Sequence, residues 1–332
     1  MSEMRIDEVR PVAALPGGEF TLRGAGLMDR EQPRVSFGKH RGGVVIGAED
    51  KLVVRVPEGA TEGDLAVERE GGARAEAHGI VGVQIADAVH PVANPAADAE
   101  GNIYTTFSGS RGQQTPVSVF KINTNYHSEA FVTDIMNASG LAFSPAGVLH
   151  VSSRHEGAVY QITHSGGVNT FVGGMGIATG LCFDPDGNLY VGDRAGTIFK
   201  VNAEGDVFVF ATLEPSIAAY HLAFGPDGYL YVTGPTTSSN DGVSRVSPKG
   251  DVELYYRGLG RPQGLAFDTD GNLYVCASWH GRRGIVRLNG ARVAEPFLSG
   301  HNIVGLCFLP SRAMAVATNN SIYRVDVGIA GL

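Results

Sequence analysis

The stretch Gly180–Val201, GLCFDPDGNLYVGDRAGTIFKV, decides how this chain is read. Its centre, Asp184-Pro185-Asp186-Gly187-Asn188, has the oxygen-rich look of a calcium loop. An EF-hand needs further ligands downstream, a closing Glu and a helix on each side. Here an apolar run, Leu189-Tyr190-Val191, follows at once. Asp offers a side-chain acceptor, Pro a fixed φ and Gly a positive φ, which together suit a tight turn. The segment therefore reads as a hairpin turn between two strands, not as a metal site.

The pattern recurs. GLAFSPAGVLHV starts at Gly140, HLAFGPDGYLYV at His221, GLAFDTDGNLYV at Gly264 and GLCFLPSRAMAV at Gly305, with a weaker copy, NPAADAEGNIYT, from Asn94. The starts from Gly140 onward lie 40, 41, 43 and 41 residues apart. Each unit alternates apolar and polar residues and is broken by glycine-rich turns, the signature of short antiparallel strands. Four strands in about 40 residues make one propeller blade. Six units predict a six-bladed β-propeller over residues 83–332. The segment GVQIADAVHP ahead of Asn94 is expected to supply the strand that the last unit lacks, which would fasten the ring. The glycine-rich run from Gly173, GGMGIATG, leads into a strand rather than a helix, so a dinucleotide loop is excluded.

Composition narrows the function classes. The net charge of −8 argues against a nucleic-acid surface. No apolar run approaches the length of a membrane helix, and the start of the chain lacks a signal-peptide pattern. Three cysteines without CxxC spacing suit a reducing compartment, so the expected location is cytoplasmic.

Residues 1–82 lack the repeat. They carry short β-like runs, EFTLRGAGL, PRVSFGKH, KLVVRVPEGA and GDLAVERE, spaced as in a small β-sandwich. This pattern resembles the IPT/TIG family of immunoglobulin-like domains, which implies a spacer or a module that binds a partner protein. The expected fold is thus all-β: an immunoglobulin-like β-sandwich ahead of the propeller.

Topology turns the repeat into a location. Residues just before each GLAF and just after each NLYV should share one mouth of the ring, and the DPDGN turns the other. The first group gives Asn94, Ser139, Thr179, Tyr220 with His221, Gln263 and Val304. The second gives Ser108, Arg154, Arg194, Pro235, Ser278 and Asn319, with Arg111, His280, Arg282 and Arg283 from longer turns and Asp193 nearby. Guanidinium groups around a cleft suit a carboxylate or phosphate. The other reading is that these arginines decorate solvated turns and pair with neighbouring carboxylates. Trp279, the only tryptophan, is either part of that mouth or a hydrophobic cover.

The repeats from Asn94 to Asp326 resemble NHL repeats and the related SMP-30/gluconolactonase-like propellers, most clearly at GLCFDPDGNLYV and GLAFDTDGNLYV. That resemblance implies a central divalent cation, but the matching positions are Ala93, Thr179, Tyr220 and Gln263, none a carboxylate. No metal or other cofactor is expected on that basis. The repeats are also similar to streptogramin lyases, whose mouth histidine acts as general base; His221 is the nearest counterpart. His221 has a second reading, as a packed histidine where the other units have Gly. The leading expectation is a hydrolase or lyase acting on a small anionic or lactone-like metabolite. His221 and Asp193 would be the catalytic groups. Asn94, Arg111, Arg154, Arg194, Tyr220, Gln263, His280 and Asn319 would be the ligand-binding ones. The alternative is a non-catalytic propeller that binds a ligand or a protein.

Overall fold

In the computed structural model the described residues are 3–110, 112–238 and 240–332, and they contain strands and turns but no helix. The repeats form an all-β propeller. Five antiparallel sheets have four strands, and a sixth sheet has six. The third repeat is the plainest: Ala178–Phe183, Leu189–Asp193, Thr197–Val201 and Val207–Thr212 pair in order from the axis outward. Successive inner strands touch one another all round, and Ala96–Ala97 of the first repeat meets Ile303–Phe308 of the last. Val83–Ala86 pairs antiparallel with Ile322–Val325, so the chain ahead of the first repeat completes the sheet of the last.

The opening segment is a hairpin, and its aspartate explains the spacing. Asp184 accepts hydrogen bonds from the Asn188 backbone N–H (2.8 Å), the Asn188 side-chain amide (2.8 Å) and the Tyr190 hydroxyl (3.3 Å). Asp98 and Asp268 do the same for Asn102 with Tyr104 and for Asn272 with Tyr274. The calcium-like oxygens therefore point into the turn. Each tyrosine ring is an edge-on wedge between its own outer strand and the next repeat: Tyr190 lies 4.9 Å from both Phe210 and Phe224. Such pairs stabilise by about 1 kcal/mol each beyond the area they bury. His150 takes the tyrosine place in the second repeat, between Phe171 and Phe183.

Nearer the axis the sheets are buttoned together by hydroxyls. Thr106 donates to the Ser139 carbonyl (3.1 Å), Ser152 to that of Thr179 (2.5 Å) and Thr233 to that of Gln263. The glycines of GLAF allow this approach: a Cβ on Gly180 would lie 2.3 Å from the Tyr220 carbonyl oxygen, closer than atoms pack.

Ahead of the propeller stands one seven-stranded sheet, ordered Arg5–Arg10, Glu19–Ala25, Lys51–Arg55, His40–Gly47, Arg34–Phe37, Asp64–Glu68 and Arg74–His78. It curls until its two edge strands meet, which closes it over a core that includes Phe20, Leu22, Phe37, Leu65 and Val67. Two short strands from the same segment join the fifth repeat: Ala13–Ala14 adds in parallel to Ala294–Ser299, and Ile80–Val81 adds in parallel to Ala13–Ala14. That addition makes the six-stranded sheet, and the sequence carries no pattern that announces it.

Candidate functional site

The propeller axis has two ends, and they differ in chemistry. At the end where the DPDGN turns lie, a wide recess of about 1070 Å³ is lined by the tips of the inner strands. Its side chains include Ala142, Cys182, Ala223, Ala266 and Cys307, with Phe143, Phe183 and Phe308 further out. Asp98 and Asp184 reach its edge, but their carboxylates are held by their own turns. Burial pushes the thiols of Cys182 and Cys307 up, away from the reactive thiolate. Asn94, Ser144 and Arg312 also line it, among walls that are mainly apolar.

The opposite end is the mouth that topology singles out. A recess of about 220 Å³ lies there, between the fifth and sixth repeats. Arg261, Gln263, Ser278, Arg283, Asn302 and Asn319 converge on it. Gln263 sits at the entry to an inner strand, its backbone N–H donating to the Cys276 carbonyl at 2.8 Å. Asn319 follows the second strand of the last repeat, and its N–H donates to the Asn302 carbonyl at 3.0 Å. Arg261 and Asn302 both adopt left-handed backbone conformations, with φ of 50° and 56°. Residues of this kind cost energy to hold and cluster at binding sites. Two guanidinium groups, three side-chain amides and a hydroxyl make this recess an anion-receptive one.

Of the residues expected from sequence, Gln263 and Asn319 therefore line a shared recess, and Ser278 and Arg283 of the same turns join them. The others are held elsewhere. Asn94 lines the wide recess at the other end instead, where its amide donates to the Leu265 carbonyl (2.9 Å) and accepts from the Leu306 N–H (3.1 Å). Both ends of the amide thus join the last two repeats. Arg154 donates to the Gly109 carbonyl (2.6 Å) and Arg194 to that of Ser216 (3.2 Å), bonds that tie loops between neighbouring repeats. Asp193 accepts the backbone N–H groups of Ile177 (3.0 Å) and Ala195 (3.1 Å), so its carboxylate caps a loop. The Tyr220 hydroxyl donates to the Glu214 carbonyl, and burial raises the phenol to about 12. His280 is at the tip of a hairpin in the fifth repeat, edge-on to Trp279 at 4.1 Å. Arg111 lies outside the described residues.

His221 is 3% exposed, in an inner strand opposite Thr233. Burial alone lowers its pKa to about 4, so the imidazole is neutral near pH 7. It does not line the polar recess. Among the described residues, no group of three or more His, Cys, Asp or Glu side chains is placed to hold a metal ion. Sequence reasoning missed Arg261 and Asn302. Each lies two residues before a position named from the sequence, Gln263 and Val304, in a loop where no strand periodicity guides the eye.

No family model matches the chain, and no curated protein matches it. Solved structures share its fold. An auxiliary nutrient binding protein from Bacteroides thetaiotaomicron is 15% identical with a TM-score of 0.58, over 97% of this chain and 97% of that one. A protein provisionally named a gluconolactonase is 16% identical with a TM-score of 0.64, over 76% and 94%. Virginiamycin B lyase from Staphylococcus aureus is 11% identical with a TM-score of 0.53, over 92% and 99%. At such identities the likeness is one of fold: the chain is an all-β propeller of the kind that gluconolactonase-like and lyase proteins use.

Proposed function

We propose that this protein is a six-bladed β-propeller with an immunoglobulin-like module at residues 1–82, and that it binds a small polar anion at the recess between its fifth and sixth blades. The blade count rests on treating the six-stranded sheet as a fifth blade widened by Ala13–Ala14 and Ile80–Val81, within a closed cycle of six inner strands. The immunoglobulin-like reading of the module rests on its seven antiparallel strands, wrapped over one core.

The observation that carries the binding reading is the lining of the recess. Arg261 and Arg283 supply charge, and Gln263, Asn302 and Asn319 supply hydrogen bonds, without a carboxylate or histidine among them. Such a set fixes and orients an anion but offers no group to move a proton. His221, the histidine expected as general base, is buried and outside that lining, and burial lowers its pKa to about 4, which makes it a weak proton acceptor. The match to a nutrient binding protein runs over 97% of this chain and that to virginiamycin B lyase over 92%, so the extent of the likeness agrees with either reading and the lining of the recess carries this one.

The test is calorimetric titration with D-gluconate, run beside an assay of D-glucono-1,5-lactone hydrolysis with and without chelator. Saturable gluconate binding that Arg261→Gln weakens at least tenfold, with no enzyme-dependent hydrolysis, is the expected result. Hydrolysis that His221→Leu abolishes would replace this reading with the enzymatic one.

A further inference from the structure

The fifth repeat carries a second recess, of about 290 Å³, between its outer face and the seven-stranded sheet. Its origin is an overlong hairpin. Leu273–Trp279 and Arg282–Leu288 have seven residues each, where Leu189–Asp193 and Thr197–Val201 of the third repeat have five. Two more residues per strand project the tip about 7 Å further. The turn is His280-Gly281, with φ of 49° and 77°, the paired positive φ of a two-residue hairpin loop that matches strand twist. At the tip Trp279 pairs with Arg282, and the Arg282 guanidinium donates to the Thr21 hydroxyl of the facing sheet at 3.1 Å.

The cleft under this tip has an apolar floor and a cationic rim. Ile285 and Leu298, each 1% exposed, form part of the floor, and Trp279 forms a wall. Five cationic side chains line it against two carboxylates, within a chain of net charge −8. Both carboxylates are already paired, Glu8 with Arg10 at 2.5 Å and Glu19 with Arg55 at 2.9 Å. Arg23, Lys51, Arg282 and Arg283 have no carboxylate partner among the described residues. A low-dielectric floor beside unneutralised cations strengthens their field, and an indole face offers a flat partner.

We infer that this cleft is a binding site for a small aromatic anion, its ring against Trp279 and its carboxylate among Arg23, Lys51 and Arg282. An aliphatic anion would satisfy the cations and leave the indole wall bare. A neutral aromatic would do the reverse. The site stands apart from the recess proposed above, although Arg283 borders both.

Trp279 is the only tryptophan, so its selectively excited emission reports this cleft alone. The full-length protein is titrated with 4-nitrobenzoate, a quenching aromatic anion, and in parallel with neutral 4-nitrobenzyl alcohol; acetate is added as a competitor. Saturable quenching by 4-nitrobenzoate is expected, at least tenfold tighter than by the alcohol and little displaced by acetate. Arg23→Gln and Arg282→Gln should each weaken it at least fivefold. Arg23→Gln makes the test independent of the Arg282–Thr21 contact, and Arg261→Gln should leave the curve unchanged. Linear quenching that is equal for the anion and the alcohol would identify a merely exposed tryptophan and overturn the inference. So would saturable quenching that neither arginine variant alters.

Discussion

The third and fifth repeats have the same strand order and the same inner turn, yet they do different things. Asp184 with Asn188 and Tyr190, and Asp268 with Asn272 and Tyr274, are the same hydrogen-bonded device at the same spacing. In the third repeat the arginine after the second strand, Arg194, ties a loop, and Asp193 caps it. In the fifth repeat the strands run on to Trp279 and Arg282, two strands from the N-terminal module join the outer edge, and both cationic recesses border its turn. The comparison teaches where to look for chemistry in a repeat protein. What recurs holds the ring together; what departs from the repeat is free to bind.

The comparison can be broken by removing what the two repeats share. Asp184→Ala and Asp268→Ala each strip a buried tyrosine hydroxyl and an asparagine of their acceptor. Each should cost about 3 kcal/mol in chemical denaturation. A loss in one repeat only would mean that the shared device is not what holds both.

Nearly as large is the effect of pH on His221, which stands where the third repeat has Gly180. Its folded pKa, about 4, lies below its ordinary 6.5, so the unfolded chain binds the proton first as pH falls. Stability should be full above pH 6.5 and decline by about 3 kcal/mol as pH falls to 4. His150, also pushed down by burial, adds to the same slope. His221→Leu should flatten most of that decline in urea titrations at several pH values.

Smaller effects sharpen the contrast in binding. Arg261→Gln should weaken anion binding at least tenfold, about 1.4 kcal/mol, while Arg194→Gln should change it less than twofold. Calorimetry on the pair separates a ligand-facing arginine from a loop tie. Smallest of all, Arg282→Gln should shift folding stability by no more than about 0.5 kcal/mol, because its contact with Thr21 is a single bond at an exposed tip.

The repeat, the hairpin turns and the closure through Val83–Ala86 were legible because strand alternation and turn residues are local signals, and the closure follows from a missing strand. That Asp184 serves its turn as a side-chain acceptor was legible too; that Asn188 and Tyr190 supply the donors was shown only by the structure. Two further things were not legible. Ala13–Ala14 and Ile80–Val81 are too short for periodicity, and only the fold brings the first to Ala294–Ser299 and the second to the first. The direction in which a polar side chain is used was hidden as well. Topology predicts Asn94, Asp193 and Tyr220 at the mouth, but Asn94 borders the other end and backbone groups claim all three, as unpaired carbonyls and N–H groups in a crowded interior must be satisfied. Arg261 and Asn302 escaped because a left-handed loop residue has no periodic signature.

The most direct test of the account is to titrate D-gluconate into the wild-type chain and its Arg261→Gln and His221→Leu variants, following heat and lactone turnover in the same preparations. Binding without turnover, lost in Arg261→Gln and kept in His221→Leu, is the predicted result. Turnover that disappears with His221, or binding indifferent to Arg261, would contradict it.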